Sequence, residues 1–425
     1  MEVENIPELE EEGYMPPEDT LTSRVHFFYI VGFARSPEGF WSAQAKQRAE
    51  IFEKLICKSK IIERAVRQMV APNDPPETKL RKLYARVQQI RYVSYESPKT
   101  HQEKLIANKT AEEVLTRGYA FANEINLLFI ALARAAGFVA APVEVVSRNG
   151  GVFEPTVFDT SQLDAMVVLV RMDSKELYFD PATRFCPYGF LPWEETEAKG
   201  IRVDKLGGNL VATPPATSGS AVVERKASLQ LETNGALHGQ LQVAFTGQEA
   251  LTRRLLAYDK DDAGRRKALE EEIKTWLPPG TSVELEGGTN WESSEEPLRA
   301  QCRLRIPDLA TVTARRILLP AAIFRSHRGH SFAHSRRLYS VYFPHPYQEA
   351  DQWSVDLPPG FLPESLAVPR NETTEFSRFQ TTAEILPGRM LFQRRLALER
   401  SQFPVNSYGA LRAFFGRVRV SDEEK

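Results

Sequence analysis

The stretch R-G-Y-A-F-A-N-E-I-N-L-L-F-I-A-L-A-R-A-A-G-F, Arg117 to Phe138, decides the fold. Ile125, Leu128, Phe129, Leu132 and Ala136 recur at helical spacing on one stripe, and Gly137 stands where a glycine closes a helix. The pattern predicts a helix lying under a sheet. Val139 to Ser147 reads as the next strand. Ala165 to Val170 reads as an apolar strand, with a turn at Asp173-Ser174 and a return strand at Leu177 to Asp180. That last strand lies within E-L-Y-F-D-P-A-T-R-F, Glu176 to Phe185. A helix packed on an antiparallel sheet makes the fold class α+β.

This order of helix, strand and strand resembles the bacterial transglutaminase-like, or papain-like, core. In that family a Cys sits at the helix N-terminus, a His on the following strand and an Asp on the one after it. Matched on Gly118-Tyr119 and on Gln162-Leu163-Asp164-Ala165-Met166-Val167, the resemblance puts the Cys position at Ala122 and the His position at Ala165. Only the third member, Asp180 of Asp180-Pro181, keeps its type. No cysteine occurs from Lys58 to Phe185 and no histidine from Gln102 to Leu237, so a slip of one or two residues restores neither. His101 precedes the helix, on the wrong side of the motif order.

The chemistry makes that loss decisive. A helix N-terminus and a neighbouring imidazolium together supply the thiolate that attacks a carboxamide. The imidazole carries the proton, and the carboxylate fixes its tautomer. Alanine at both places removes nucleophile and shuttle, and Asp180 then reads as a strand-end residue capping the turn at Pro181. The expectation is a degenerate triad at Ala122, Ala165 and Asp180, with no cofactor.

Composition bounds the class. The 425 residues suffice for two or three domains, and 42% hydrophobic with 26% charged content describes a globular chain. A net charge of −2 and a pI near 6.5 argue against a nucleic-acid partner. The three cysteines, Cys57, Cys186 and Cys302, are far apart and form neither a disulfide framework nor a zinc motif. The first twenty residues carry eight acids and no Lys or Arg, so no signal peptide is read there. Arg134, Gly137 and Pro142 interrupt the longest apolar run, which excludes it as a membrane span. The resembled family implies the cell envelope or periplasm.

Residues 1–35 read as an acidic linker with a strand at Arg24 to Phe33. Residues 36–70 read as helical, and a second helix runs from Glu77 to Tyr92. The family usually carries a β-rich domain before its core; residues 1–35 look like its remnant, as if the gene began late or the product were truncated. Residues 36–213 form the transglutaminase-like core, ending in the loop Pro187 to Trp193 that is also similar to the family. Trp193 there reads as packing over a core edge.

After the linker Pro214 to Gly219, residues 221–425 read as a β-sandwich-like domain. Its hairpin turns at Asn234-Gly235 with the positive φ values of a type I′ turn. One long helix, Gln248 to Trp276, follows, with Gly264 as a break point, and a last helix spans Pro404 to Val418. By position, and by the phrase Phe245-Thr246-Gly247, this part resembles the family's C-terminal β domain.

His327, His330 and His334 stand at i, i+3 and i+7 and form a weak candidate metal site. Arg325, Arg328, Arg336 and Arg337 repel a cation there, so a basic loop, or a place for an acidic partner, is the better reading. Three functions stay open. One is an inactive transglutaminase-like protein that binds a peptide or protein or acts as a scaffold. Another is an amide hydrolase or transferase using Cys186, and the third a structural protein acting through its β domain.

Overall fold

The computed structural model describes residues 8–22, 25, 36–95, 106–307, 309–325 and 331–424. The strand expected at Arg24 to Phe33, the histidines His101, His327 and His330, and Glu96 lie outside them, apart from Val25. The chain divides into two compact units, one of residues 17–215 and one that joins residues up to Pro16 to residues from Ala216 onward.

The first unit begins with α1 (Pro37–Ile56) and α2 (Lys60–Met69). The expected single helical region is split at Cys57-Lys58-Ser59, where Ser59 caps α2 by accepting the Ile61 N–H at 3.1 Å. α3 (Pro76–Val87) stops short of the expected Tyr92, because Arg91 and Tyr92 extend to pair in parallel with Tyr119 and Ala120. α4 (Ala111–Arg117) and α5 (Ala122–Ala135) follow. α5 closes as predicted: Gly137 takes φ +95°, the Phe138 N–H reaches the Ala133 carbonyl and the Gly137 N–H that of Arg134.

α5 packs on a five-stranded antiparallel sheet of β1 (Val139–Val145), β2 (Ala165–Met172), β3 (Lys175–Phe179), β4 (Lys199–Arg202) and β5 (Leu210–Ala212), in the order β3-β2-β1-β4-β5. Strand alternation sorts the side chains into two layers. Ala140, Met166, Val168, Val170 and Phe179 face α5, sharing a core with Leu128, Phe129 and Leu132. Val143, Val145, Val167 and Leu169 face the other way, under Leu191 and Ala198.

The second unit is built on eight strands: β6 (Ala221–Leu231), β7 (Leu237–Gly247), β8 (Ser282–Gly287), β9 (Leu298–Ile306), β10 (Tyr347–Asp356), β11 (Arg370–Thr373), β12 (Ser377–Leu386) and β13 (Arg389–Leu398). They form one sheet, ordered β8-β9-β7-β6-β10-β13-β12-β11, antiparallel except for the β6–β10 pair. The expected sandwich of two sheets is therefore corrected to one sheet covered on one face.

Inward residues such as Leu229, Leu241, Leu304 and Phe392 are buried, while Glu224, Lys226, Arg299, Arg303 and Arg395 on the opposite face are exposed. Charges spread over that face would be desolvated by a second sheet. Helices cover the apolar face instead. The expected long helix is two, α6 (Gln248–Leu256) and α7 (Asp262–Lys274), parted where Asp261 caps α7 by accepting the Gly264 N–H at 2.7 Å. α7 buries Leu269 and Ile273, and α8 (Tyr408–Asp422) buries Leu411, Phe414 and Val418.

α8 runs past the expected Val418 because Asp422 in its last turn meets Arg394. The hairpin at Asn234-Gly235 forms, but only Gly235 has positive φ, +88°, and five residues separate Leu231 from Leu237. It is not the two-residue type I′ turn. A Cβ at Gly235 would come within 2.8 Å of the Ala310 carbonyl oxygen, so the wider loop needs glycine for room as well as for φ.

Candidate functional site

Ala122 is the first residue of α5, where a helix concentrates its unpaired N–H groups. Glu124 answers that positive end. Its carboxylate, 7% exposed, accepts the Phe121 N–H at 3.1 Å, the Asn108 N–H at 2.8 Å and the Asn108 side chain at 2.8 Å. The negative charge that a thiolate would bring to this spot comes from a neighbouring glutamate.

Asp180 follows β3 and is 2% exposed. Its carboxylate accepts the Asn126 amide at 3.3 Å, the Ala182 N–H at 3.1 Å and the Thr183 N–H at 3.2 Å. It thus caps the turn at Pro181, as the plain reading of the sequence has it. Asn126 lies one turn below Ala122, and its amide also donates to the Met166 carbonyl at 2.6 Å. One side chain ties α5 to β2 and to Asp180.

Ala165 opens β2 and pairs with Val145. Its Cβ packs with Val145, Val167 and Leu169, on the layer away from α5. Ala122 touches the α5 layer. The structure links Ala122 to Asp180 through Asn126, and does not turn Ala165 toward Ala122. The reason is parity: along a strand only every second side chain faces the helix, and Met166 has that phase.

The site is acidic and buried. Burial pushes the Asp180 carboxyl above its ordinary range against the pull of its donors. Glu195, 9% exposed, is pushed well above its range, first by burial and then by Asp180, Glu194 and Asp164, and its Oε2 has no hydrogen-bond partner among the described residues. Burial also raises Tyr92, with Asp180 and Glu195 adding to the rise. Burial thus favours the protonated form of both carboxyls.

Cys186 is fully buried. Its Sγ lies 3.4 Å from the Phe190 carbonyl oxygen, and its own carbonyl accepts the Tyr84 hydroxyl at 2.9 Å. Trp193 is half-buried, with the Arg148 guanidinium 5.8 Å from its ring. His334 is exposed, and no metal-holding group of three His, Cys, Asp or Glu occurs among the described residues. Among those residues, no helix is long and apolar enough to cross a membrane.

Sequence reading missed Asn126 and Glu195. A polar residue inside the otherwise apolar α5 run was the available signal for Asn126. It also missed an ion network in the second unit. Arg225, Asp351 and Arg394 are direct cross-strand neighbours on β6, β10 and β13. Arg225 Nε donates to Asp351 at 2.6 Å, and Arg394 grips Asp422 through Nε at 2.7 Å and Nη2 at 3.0 Å. Arg394 also donates to Glu349 at 3.1 Å, and all five residues are buried.

Helix, sheet and the Asp-bearing turn define a transglutaminase-like core. The chain carries a domain of the transglutaminase-like superfamily, matched over residues 63–173. A domain of unknown function with a solved structure, DUF3858, follows it over residues 315–425. None of the curated proteins matches the chain in sequence. Among solved structures, one described as a "putative protease" from Parabacteroides distasonis is similar at 11% identity, over 92% of this chain, with a TM-score of 0.49. The chain spans 58% of that protein's length.

Proposed function

We propose that the chain is a catalytically inactive transglutaminase-like protein whose core serves as a scaffold for binding a peptide or protein. The observation that carries this reading is the bonding of Asp180. Its carboxylate is taken up by Asn126 and by two backbone N–H groups of its own turn, where a triad needs an imidazole. Alanine at position 122, the absence of Cys from 58 to 185 and the absence of His from 102 to 237 agree with it. The rival reading, catalysis through Cys186, must explain a thiol that is fully buried and already set against the Phe190 carbonyl. A thiol nucleophile needs access and a base.

The test is turnover of a glutamine-containing peptide, with and without an added primary amine, by the full chain. No ammonia release and no cleavage above the uncatalysed background is expected. Steady turnover that disappears in Cys186→Ala replaces this reading with the rival one.

A further inference from the structure

The chain's acidic start is not idle linker. In the second unit, residues 12–14 dock on the segment 332–343, more than three hundred residues away in sequence. The Glu12 carboxylate accepts the backbone N–H groups of Leu338 at 3.0 Å and Tyr339 at 3.1 Å, and the Arg337 guanidinium lies 3.3 Å from it. Arg337 Nη1 donates to the Gly13 carbonyl at 2.7 Å, and the Tyr342 N–H donates to the Tyr14 carbonyl at 2.7 Å. The Tyr14 ring lies against Phe343 and Phe332, with centroids 4.8 and 5.7 Å apart.

These are the parts by which short peptides are recognised: a carboxylate held by successive amides and an arginine, a main-chain bond and an aromatic contact, with Tyr14 still 44% exposed. The receiving side is anchored in the core at both ends. Phe332 and Phe343 belong to the core beneath α8, and the Arg337 side chain is 5% exposed. The incoming side is not self-supporting. It is one turn, closed by Met15 N–H to Glu12 carbonyl at 3.2 Å, with Tyr14 at φ +60°. A tyrosine holds that left-handed conformation only where its surroundings impose it. The Tyr14 ring also lines a cavity of about 350 Å³ with Arg225, Arg394 and Asp422.

We propose that the segment 332–343 is a recognition site for a short acidic peptide of the form Glu-x-Tyr, and that the chain's own residues 12–14 fill it as a releasable plug. Because the plug is covalently part of the chain its seating is intramolecular, so a modest intrinsic affinity keeps it seated. The proposal stands independently of the reading of the transglutaminase-like core.

The test uses the full chain and a fluorescent peptide of residues 8–17. Glu12→Gln with Tyr14→Ala empties the site, and this variant is expected to bind the peptide at least tenfold more tightly than the unaltered chain does. Peptides carrying either substitution should bind the variant at least tenfold more weakly, and adding Arg337→Ala should abolish binding. A variant that melts like the unaltered chain yet ignores the peptide, or takes the substituted peptides equally well, overturns the proposal. Should the double variant fail to fold, Glu12→Gln alone serves. Amide exchange at Leu338 and Tyr339 should quicken in it and slow again when peptide is added; exchange that moves in neither step overturns the proposal.

Discussion

Asp180 and Asp351 are both aspartates about as buried as a carboxylate can be, yet they are kept in different ways. Asp351 lies between Arg225 and Arg394 on neighbouring strands. Asp180 has only neutral donors, the Asn126 amide, two backbone N–H groups and the Thr183 side chain, and it in turn raises the acid Glu195. Where cations are supplied, burial builds a network whose members depend on one another. Where only neutral donors are supplied, burial favours the protonated form. The first arrangement is fragile to the loss of a cation, and the second ties stability to pH.

The largest effect that sharpens this contrast is Arg394→Ala. It strands Asp422 and takes one of the cations from Asp351 and Glu349, and removing one partner of a buried pair costs about 3–5 kcal/mol. Thermal unfolding should show the second unit melting first. An unchanged melt would mean that water already screens the network.

Asn126→Ala comes next. It leaves the Met166 carbonyl without its side-chain donor and takes one of two donors from Asp180 Oδ1, at about 1–3 kcal/mol. Protection of the α5 amides against hydrogen exchange should fall accordingly, and Asn126→Asp should not restore it, because a second carboxylate offers no N–H.

The pH dependence has a defined sign. Asp180 and Glu195 have folded pKa values above their unfolded ones, so the folded core binds their protons more tightly. Their share of stability is full below the unfolded values near 4 and is lost as pH rises through the folded ones. α5 should be better protected at pH 5 than at pH 7, and Glu195→Gln should flatten that difference. A slope of opposite sign would break the comparison.

Least of all is expected from Ala122→Cys with Ala165→His. An imidazole at position 165 would join the layer of Val145 and Val167, away from α5, so no turnover should appear in the glutamine assay. Measurable turnover would show that the strand can reverse its facing.

Much of this was legible in the sequence. The α5 stripe, its glycine stop, the return of β2 to β3 and the hairpin at Gly235 all follow from periodicity and from turn residues with one conformational role. The phase of β2 against α5 was not legible, since periodicity gives alternation without saying which parity meets the helix. Arg225 and Arg394 occupy inward phases of β6 and β13, a signal open to reading, but their acids sit on another strand and a helix end. Only the register brings them together. The sandwich expectation erred because alternating strands look alike whether helices or a second sheet cover them.

The docking of Glu12 through Tyr14 has a consequence for biosynthesis. Gly13 and the Arg337 that holds it are 324 residues apart. At about 5–20 residues per second, roughly 15–65 s of translation separates them. Throughout that interval the nascent chain carries an acidic turn that has left the ribosome before its receptor exists. The residues from Pro17 to Pro215 are complete well before then, so on the ribosome the second unit is the one whose two ends must wait for each other.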